Sequence, residues 1–399
     1  MTSNATASVR GGPPARTIGA VRPRPERLAR LPEQYFASLL RRVADAAAAD
    51  GSPLVDLGRG NPEVGPPPHV AHALADAARR TEGHGYAPFR GLPALREAIA
   101  GRYRRLYDVE LDPETEVAIV PGTKTAVVEL ALALAGRGET ILLPDPGYPD
   151  YLSGLALAGA PVGHLRLDPS ANWQPDLAAA PSAAALFLNY PSNPCAVCAG
   201  PDLFTDAVAY AERTGTPVVH DAAYIDLVFD GRRPESFLRT PGAKDIGVET
   251  WSMSKSFGMA GWRIGFVVGN AEIVERINLL GDHARVGMLA GLQTAAAAAL
   301  DGPQDSVEER RAAYEARRDR VVAALPGIVP SEGSFYLWVR LPDGTNATRI
   351  LEEHRVVLAP GEGFGPGGAG WARLSLAVTD ETLDVGIERL ATVFAGARV

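Results

Sequence analysis

The hydrophobic pattern changes period along the chain. From about Glu33 to Ala49 apolar residues recur at helical spacing, with Tyr35, Phe36, Leu39 and Leu40 near one stripe. That spacing predicts an amphipathic helix. The stretch GSPLVDLGRGNPEVGPPP then interrupts it with Gly and Pro, residues that end periodic structure. Further helices are expected from about His69 to Arg80 and from about Leu92 to Tyr107. Beyond Tyr107, short β-rich runs alternate with helical ones. The runs are VAIV (117–120), TILLP (140–144), AALFLN (184–189), PVVHD (217–221), ETWSMS (249–254) and RIGFVVG (263–269). Helical stretches such as Thr125–Ala135 and Asp202–Thr214 lie between most of them. Apolar runs separated by helices imply an α/β unit whose mostly parallel sheet is covered on both faces. A long helix from about Gln304 to Leu325 leaves this region. The tail carries GSFYLWVRL, VVLAP, WARLSLA and a final helix, and reads as a smaller α+β unit. No internal repeat is visible. The expected organisation is a mobile N-terminal arm over 1–30, a segment over 31–60 packing with the small domain, a large domain over 61–300 and a small domain over 301–399.

Composition narrows the class of protein. The 399 residues are 46% hydrophobic and 22% charged, as in ordinary soluble domains. A net charge of −8 argues against general affinity for nucleic acid or anionic membrane. No apolar run reaches the roughly 18–20 residues of a membrane helix. The N-terminal thirty residues are rich in Ala, Gly, Pro and Arg and lack the apolar core of a secretion signal. Two cysteines cannot build a disulfide framework, so a reducing cytoplasm is the expected compartment. Those two, Cys195 and Cys198, form the stretch CAVC after a Pro-rich turn. A structural zinc site needs four ligands, and neither a second pair nor a His cluster accompanies them. A redox pair would open a helix directly after a strand, which this one does not, so a plain turn is the favoured reading.

The candidate chemistry lies where the strands end. In an open parallel sheet, ligands bind beyond the carboxyl ends of the strands. VAIV runs into Gly122, Thr123 and Lys124, which open a helix. A Gly turn into a helix N-terminus presents free N–H groups that suit a phosphate, although many helices begin this way for structural reasons. AALFLN leads to Asn193 in a Pro-bounded turn, PVVHD ends in Asp221 with Tyr224 following, and ETWSMS runs into Lys255. Arg263 is expected to open the next strand, and Gly258 and Gly261 to let the chain turn between Lys255 and Arg263. Taken singly these are a turn residue, a helix cap and surface charges. Together they place an amine, an anion site and a buried acid at one crevice, a set that suits pyridoxal 5′-phosphate. A lysine among Ser, Met, Phe and Gly has its charged form disfavoured, which leaves a nucleophilic amine.

The stretch SMSKSFGMAGWRIGF resembles the lysine motif of the pyridoxal-phosphate-dependent class I/II aminotransferases of the aspartate-aminotransferase fold (fold type I). LGRGNPE, GYAPFRGLPALREAIAGRY, DPGYPDY, YPSNP, DAAY, GSFYLW and APGEGFGPGGAGWARLSLA follow the family's pattern in its order, and the resemblance covers the chain beyond about Arg30. The style is nearest to the branch containing diaminopimelate-type aminotransferases. The resemblance implies a large domain with a mostly parallel seven-stranded sheet, a smaller α+β domain, and amino-group transfer between an L-amino acid and a 2-oxo acid by a ping-pong cycle. It implies Lys255 as the Schiff-base lysine and proton shuttle, Asp221 as partner of the pyridinium nitrogen, and Asn193 and Tyr224 on the 3′-oxygen. Tyr148 would stack on the ring, while Thr123, Lys124, Ser252 and Arg263 bind the phosphate. Tyr86 would reach the neighbouring subunit's phosphate, which implies a homodimer with shared active sites. Gly60 would face the substrate and Arg373 would clamp its α-carboxylate. Two departures stand out: NPCAVC where the family often has NPTG, and His283 and Arg285 in the segment that usually contributes to the partner's pocket. These two read either as side-chain readers or as a solvated helix end. Other reactions on the same scaffold, β-elimination, decarboxylation, cyclisation or oxidation, share Lys255 and Asp221 and remain open.

Overall fold

A computed structural model describes residues 23–50 and 53–395, with the side chains of 49 and 50 undescribed. Most of the expected arm, residues 1–22, lies outside the described residues. Of the rest of that stretch, Glu26–Ala29 form a helical turn, and Glu26 pairs with Arg137 at 2.8 Å.

The strands, in chain order, are β1 (Val55–Asp56), β2 (Val117–Val120), β3 (Ile141–Asp145), β4 (Val162–Arg166), β5 (Ala185–Asn189), β6 (Val218–Asp221), β7 (Gly247–Ser252), β8 (Gly265–Gly269), β9 (Tyr336–Arg340), β10 (Val356–Val357), β11 (Ala359–Pro360) and β12 (Trp371–Ser375). Seven of them form the central sheet in the order β2-β8-β7-β6-β5-β3-β4. Every neighbouring pair is parallel except those of β8, which runs antiparallel to both β2 and β7. The sequence runs anticipate every strand of this sheet except β4. That strand lies at the edge, and its half-exposed VGHLR lacks the continuous apolar stretch that marks a strand buried on both faces.

Side-chain alternation divides the core between the two faces. Leu186 and Leu188 join one apolar cluster, while Ala185 and Phe187 join another. Helices cover both, among them Pro93–Tyr107 and Leu203–Thr214 on one side and Thr123–Leu134 on the other. Each fully buried Val, Leu or Phe contributes about 1.5–3 kcal/mol.

The C-terminal part builds a separate antiparallel sheet, β11-β12-β9, with its own apolar cluster that includes Tyr314, Phe335, Leu374 and Leu390. The long helix Asp305–Ala324 leads into it and Asp380–Phe394 closes it. The N-terminal segment is tied to this part: β1 pairs in parallel with β10, and Tyr35 donates to the Pro360 carbonyl at 2.7 Å. The helix Tyr35–Asp50 therefore lies where the sheet and the C-terminal part meet, and Phe36, Leu39 and Leu40 form one wall of a cavity there.

Candidate active site

The cavity measures about 300 Å³ and opens at the carboxyl ends of β3, β5, β6 and β7. Lys255 lies on the short helix Met253–Ser256, which follows β7 directly. Its Nζ donates to the Gly60 carbonyl at 3.0 Å and sits 5.2 Å from the Phe335 ring centroid and 5.8 Å from that of Tyr224. Burial lowers its pKa to about 7, with Arg373 and Arg263 adding repulsion and Asp221 opposing. The amine is therefore largely neutral in mildly alkaline water, which a surface lysine is not.

Asp221 ends β6, in register with Asn189 of β5 and Thr250 of β7. Burial pushes its carboxyl up, while the Tyr151 hydroxyl at 2.8 Å and the Ala223 N–H at 3.2 Å favour the ionised form. Asn189 fixes the strand end by donating to the Asp221 backbone carbonyl at 2.8 Å and accepting the Asn193 N–H at 2.7 Å. Tyr224 lies 3.3 Å, oxygen to oxygen, from Tyr336. Burial raises the phenols of Tyr148, Tyr151 and Tyr224 well above their ordinary range, so all three remain protonated.

Arg373 comes from β12 and is 1% exposed. Its guanidinium donates to Asn193 Oδ1 at 2.8 Å and to the Gly58 carbonyl at 3.1 Å, and lies 4.0 Å from the Tyr336 ring centroid. Its Nε has no partner, and among the described residues no carboxylate pairs with it. A buried guanidinium without a counter-ion is costly, so this one is prepared for an incoming anion.

Eight of the expected residues thus line one cavity: Gly60, Thr123, Tyr148, Asn193, Asp221, Tyr224, Lys255 and Arg373. Gly60 is tightly constrained, since a Cβ there would overlap the Tyr336 hydroxyl. Four others lie off its wall. The Lys124 ammonium sits 3.0 Å from Asp150, so its side chain is committed to a carboxylate. Ser252 is buried and caps the lysine turn, accepting the Ser254 N–H at 3.1 Å and donating to Ser254 Oγ at 2.8 Å. Arg263 does not open β8; it precedes the strand in a left-handed turn (φ 56°), with its guanidinium against Gly122, where it donates to the Pro121 carbonyl at 3.3 Å. It therefore stands beside the N-terminus of the helix Thr123–Leu134. Tyr86 is 92% exposed.

Gly258 takes φ 65° and packs against the Val64 carbonyl, so that position needs glycine, whereas Gly261 has open space around its Cβ direction. Only the first is required by the turn. Arg285 is held by Glu129 at 3.0 Å and by the Ile119 carbonyl at 2.9 Å, and His283 is exposed. Both cysteines are free, and burial raises their thiols, Cys198 to about 12, so neither is a ready thiolate. Among the described residues no His, Cys, Asp and Glu cluster could hold a metal ion.

Sequence reasoning passed over Asn189, Tyr151 and Tyr336. Asn189 closes the run AALFLN, so the same strand-end rule that found Asp221 applied to it. Tyr151 and Tyr336 lie inside stretches already singled out, but nothing local shows that their hydroxyls turn toward Asp221 and Tyr224.

Comparison with known proteins extends this geometry. The model of the family Aminotransferase class I and II matches residues 52–390. The chain is 42% identical over 369 residues to the L-glutamine--4-(methylsulfanyl)-2-oxobutanoate aminotransferase of Bacillus subtilis (strain 168), covering 89% of this chain and 92% of that one. It is 38% identical over 379 residues to the LL-diaminopimelate aminotransferase of Dehalococcoides mccartyi, covering 92% and 97%. The substrate-bound structure of BacF from Bacillus subtilis superposes with a TM-score of 0.89 at 35% identity, covering 93% of this chain and 98% of that one. Enzymes of this family generally depend on pyridoxal phosphate. A match of this extent, on the same mostly parallel α/β fold, leads to one assignment: the chain belongs to the class I and II aminotransferases and is an enzyme of amino-group transfer.

Proposed function

We propose that this aminotransferase holds pyridoxal 5′-phosphate in the cavity and exchanges an amino group between an L-amino acid and a 2-oxo acid in amino-acid or specialised-metabolite biosynthesis. The observation that carries this reading is the convergence of Lys255, Asp221 and Arg373 on one cavity. The residues fit the cofactor on their own chemistry. Among the described residues the Asp221 carboxyl receives a phenol and one N–H, which leaves room for a ring N–H. A helix N-terminus flanked by Arg263 suits a phosphate. A guanidinium without a counter-ion suits a substrate carboxylate.

When bound, the cofactor supplies an electron-withdrawing ring that makes the substrate's Cα–H bond acidic. Asp221 would keep the ring nitrogen protonated by accepting its N–H. Lys255, neutral above about pH 7, would take the Cα proton on Nζ and carry it onward rather than back to the carbon it left. Asn193 and Tyr224 would donate toward the ring's oxygen, and Tyr148 would flank the ring. Thr123, with the backbone N–H groups of its helix turn, and Arg263 would hold the phosphate; Ser252 would support it by capping the lysine turn through Ser254, and Lys124 stands in the Thr123 turn paired with Asp150. Arg373 presents a fork of N–H donors to the α-carboxylate beside Gly60, geometry a lysine cannot copy. Phe36, Leu39 and Leu40 keep water from the reacting face.

The exposed Tyr86 ring, with Phe89 and Leu289 also exposed, supports a homodimer in which Tyr86 completes a neighbouring site. The two sheets and the pairing of β1 with β10 support a large domain over 61–300 and a small one over 301–399, with 31–60 packing against the small one. Free cysteines suit a reducing cytoplasm, and among the described residues no helix is long and apolar enough to cross a membrane.

The test is reconstitution with pyridoxal phosphate, followed by a panel of amino donors, including basic and guanidino ones, under air and under nitrogen. A visible absorption band that a donor bleaches, with release of its 2-oxo acid, is expected. Lys255→Ala should abolish the band; the same band with normal turnover in that variant sinks the reading.

A further inference from the structure

We propose that His220 is a standing imidazolium, locked beneath the sheet by Glu249 and the Tyr190 carbonyl, and that it is the positioning residue that keeps Asp221 ionised toward the cavity. Its meaning for catalysis rests on the cofactor reading above; the charge state itself does not.

Hydrogen bonding assigns the protons. His220 and Glu249 are both 0% exposed. His220 Nε2 lies 2.9 Å from the Tyr190 carbonyl oxygen, and a carbonyl only accepts, so Nε2 carries a hydrogen. Nδ1 lies 2.8 Å from Glu249 Oε2. That carboxylate also receives the Tyr103 hydroxyl at 2.6 Å, the Ser236 hydroxyl at 3.1 Å and the Phe237 N–H at 3.0 Å. A carboxylate has about four lone-pair sites. Three donors and the imidazole fill them, which favours the ionised acid and leaves the proton on Nδ1. A buried ion pair is tolerated when its remaining sites are satisfied, and here they are.

The pair's position gives it a task. On β6, Val218 and His220 face one side of the sheet, and Val219 and Asp221 the other. His220 packs against Phe204 and Phe237, with ring centroids 4.9 and 6.3 Å away, and among the described residues its charged hydrogen-bond partner is Glu249. Tyr103 stands beyond Glu249, with Arg102 and Tyr107 behind it. Asp221 is faced by Tyr151 and, across the cavity, by Lys255. Burial opposes the charge on Asp221; the Tyr151 hydroxyl and the Ala223 N–H favour it, and a cation on either side adds to them. Lys255 loses its charge above about pH 7. His220, one residue from Asp221, has both ring N–H groups taken by Glu249 and the Tyr190 carbonyl. The same imidazolium holds the Tyr190 carbonyl, at the start of the turn that carries Asn193.

The test uses the cofactor-free protein. Nitrogen-15 NMR of the His220 ring in neutral buffer should show both nitrogens protonated. A ring with one unprotonated nitrogen overturns the proposal. The double variant His220→Asn/Glu249→Gln removes both charges while keeping polar side chains. With its fold checked by circular dichroism and melting temperature, it should raise the Asp221 carboxyl midpoint, read by carbon-13 NMR, by about one pH unit or more. An unchanged midpoint overturns the proposal, and if the variant does not fold, the ring measurement on the unaltered protein still decides. Pyridoxal phosphate added to the unaltered protein tests the cofactor reading separately, and failure there leaves both NMR results standing.

Discussion

The hydroxyl of Tyr151 donates to Asp221 Oδ2 at 2.8 Å across seventy positions of sequence, joining the helix after β3 to the end of β6. It is the side-chain donor on a carboxyl that burial otherwise drives toward its neutral form. Tyr151→Phe should therefore raise the proton affinity of Asp221. The acid limb of the pH profile of kcat/KM should move up by about one unit. Profiles of both proteins with cofactor in excess check this; superposed limbs would show that Tyr151 does not tune Asp221.

Arg373 reaches the cavity through two donors, one on Asn193 and one on the Gly58 carbonyl. Arg373→Lys keeps the charge but loses the fork. With charge-assisted bonds at about 1.5–3 kcal/mol each, kcat/KM for any amino donor should fall on the order of 100-fold, mainly through KM. Cofactor affinity should hold. A variant whose KM stays unchanged would move the carboxylate site elsewhere.

Lys255 gives the cofactor-free protein a pH-dependent stability of definite sign. Its folded pKa is about 7, below the unfolded 10.5. Between those values the unfolded chain binds more protons, so the Lys255 contribution to stability rises with pH across that window. Below about pH 7 both states are charged and the native state bears the whole desolvation cost. Lys255→Met should be more stable than the parent, by the widest margin below pH 7 and by a shrinking one toward pH 10. Denaturant midpoints measured at several pH values check it, and a margin that grows with pH contradicts it.

Gly258 and Gly261 should part company on substitution. Gly258→Ala puts a side chain at φ 65° and into the Val64 carbonyl, a loss of more than about 1 kcal/mol. It should also displace the turn that follows Lys255. Gly261→Ala meets nothing within 4 Å and should change stability by less than about 0.5 kcal/mol. Melting curves of the two variants decide between this and an equal need for both glycines.

Much of the fold was legible because periodicity reports burial. The continuous apolar runs at β2, β3, β5, β6, β7 and β8 announce strands buried on both faces, and the helices between them announce parallel crossovers. β4 escaped because an edge strand needs no such run. The strand-end rule reached Asp221, Asn193 and Lys255, since each follows its strand closely in sequence. It could not foresee that Lys124 turns to Asp150 or that Arg285 turns to Glu129, because a long cation's partner is chosen by what the fold brings near it.

The sequence by itself determined the order of elements, the crevice at the strand ends and the residue types that meet there, because hydrophobic period and turn chemistry act within a few residues. The tertiary structure alone decided which of those groups are neutral, charged or free. Whether Lys255 is an amine and whether Arg373 lacks a counter-ion depend on neighbours tens to hundreds of positions away. Desolvation and hydrogen bonding are properties of that assembled surrounding, and the local sequence does not carry them.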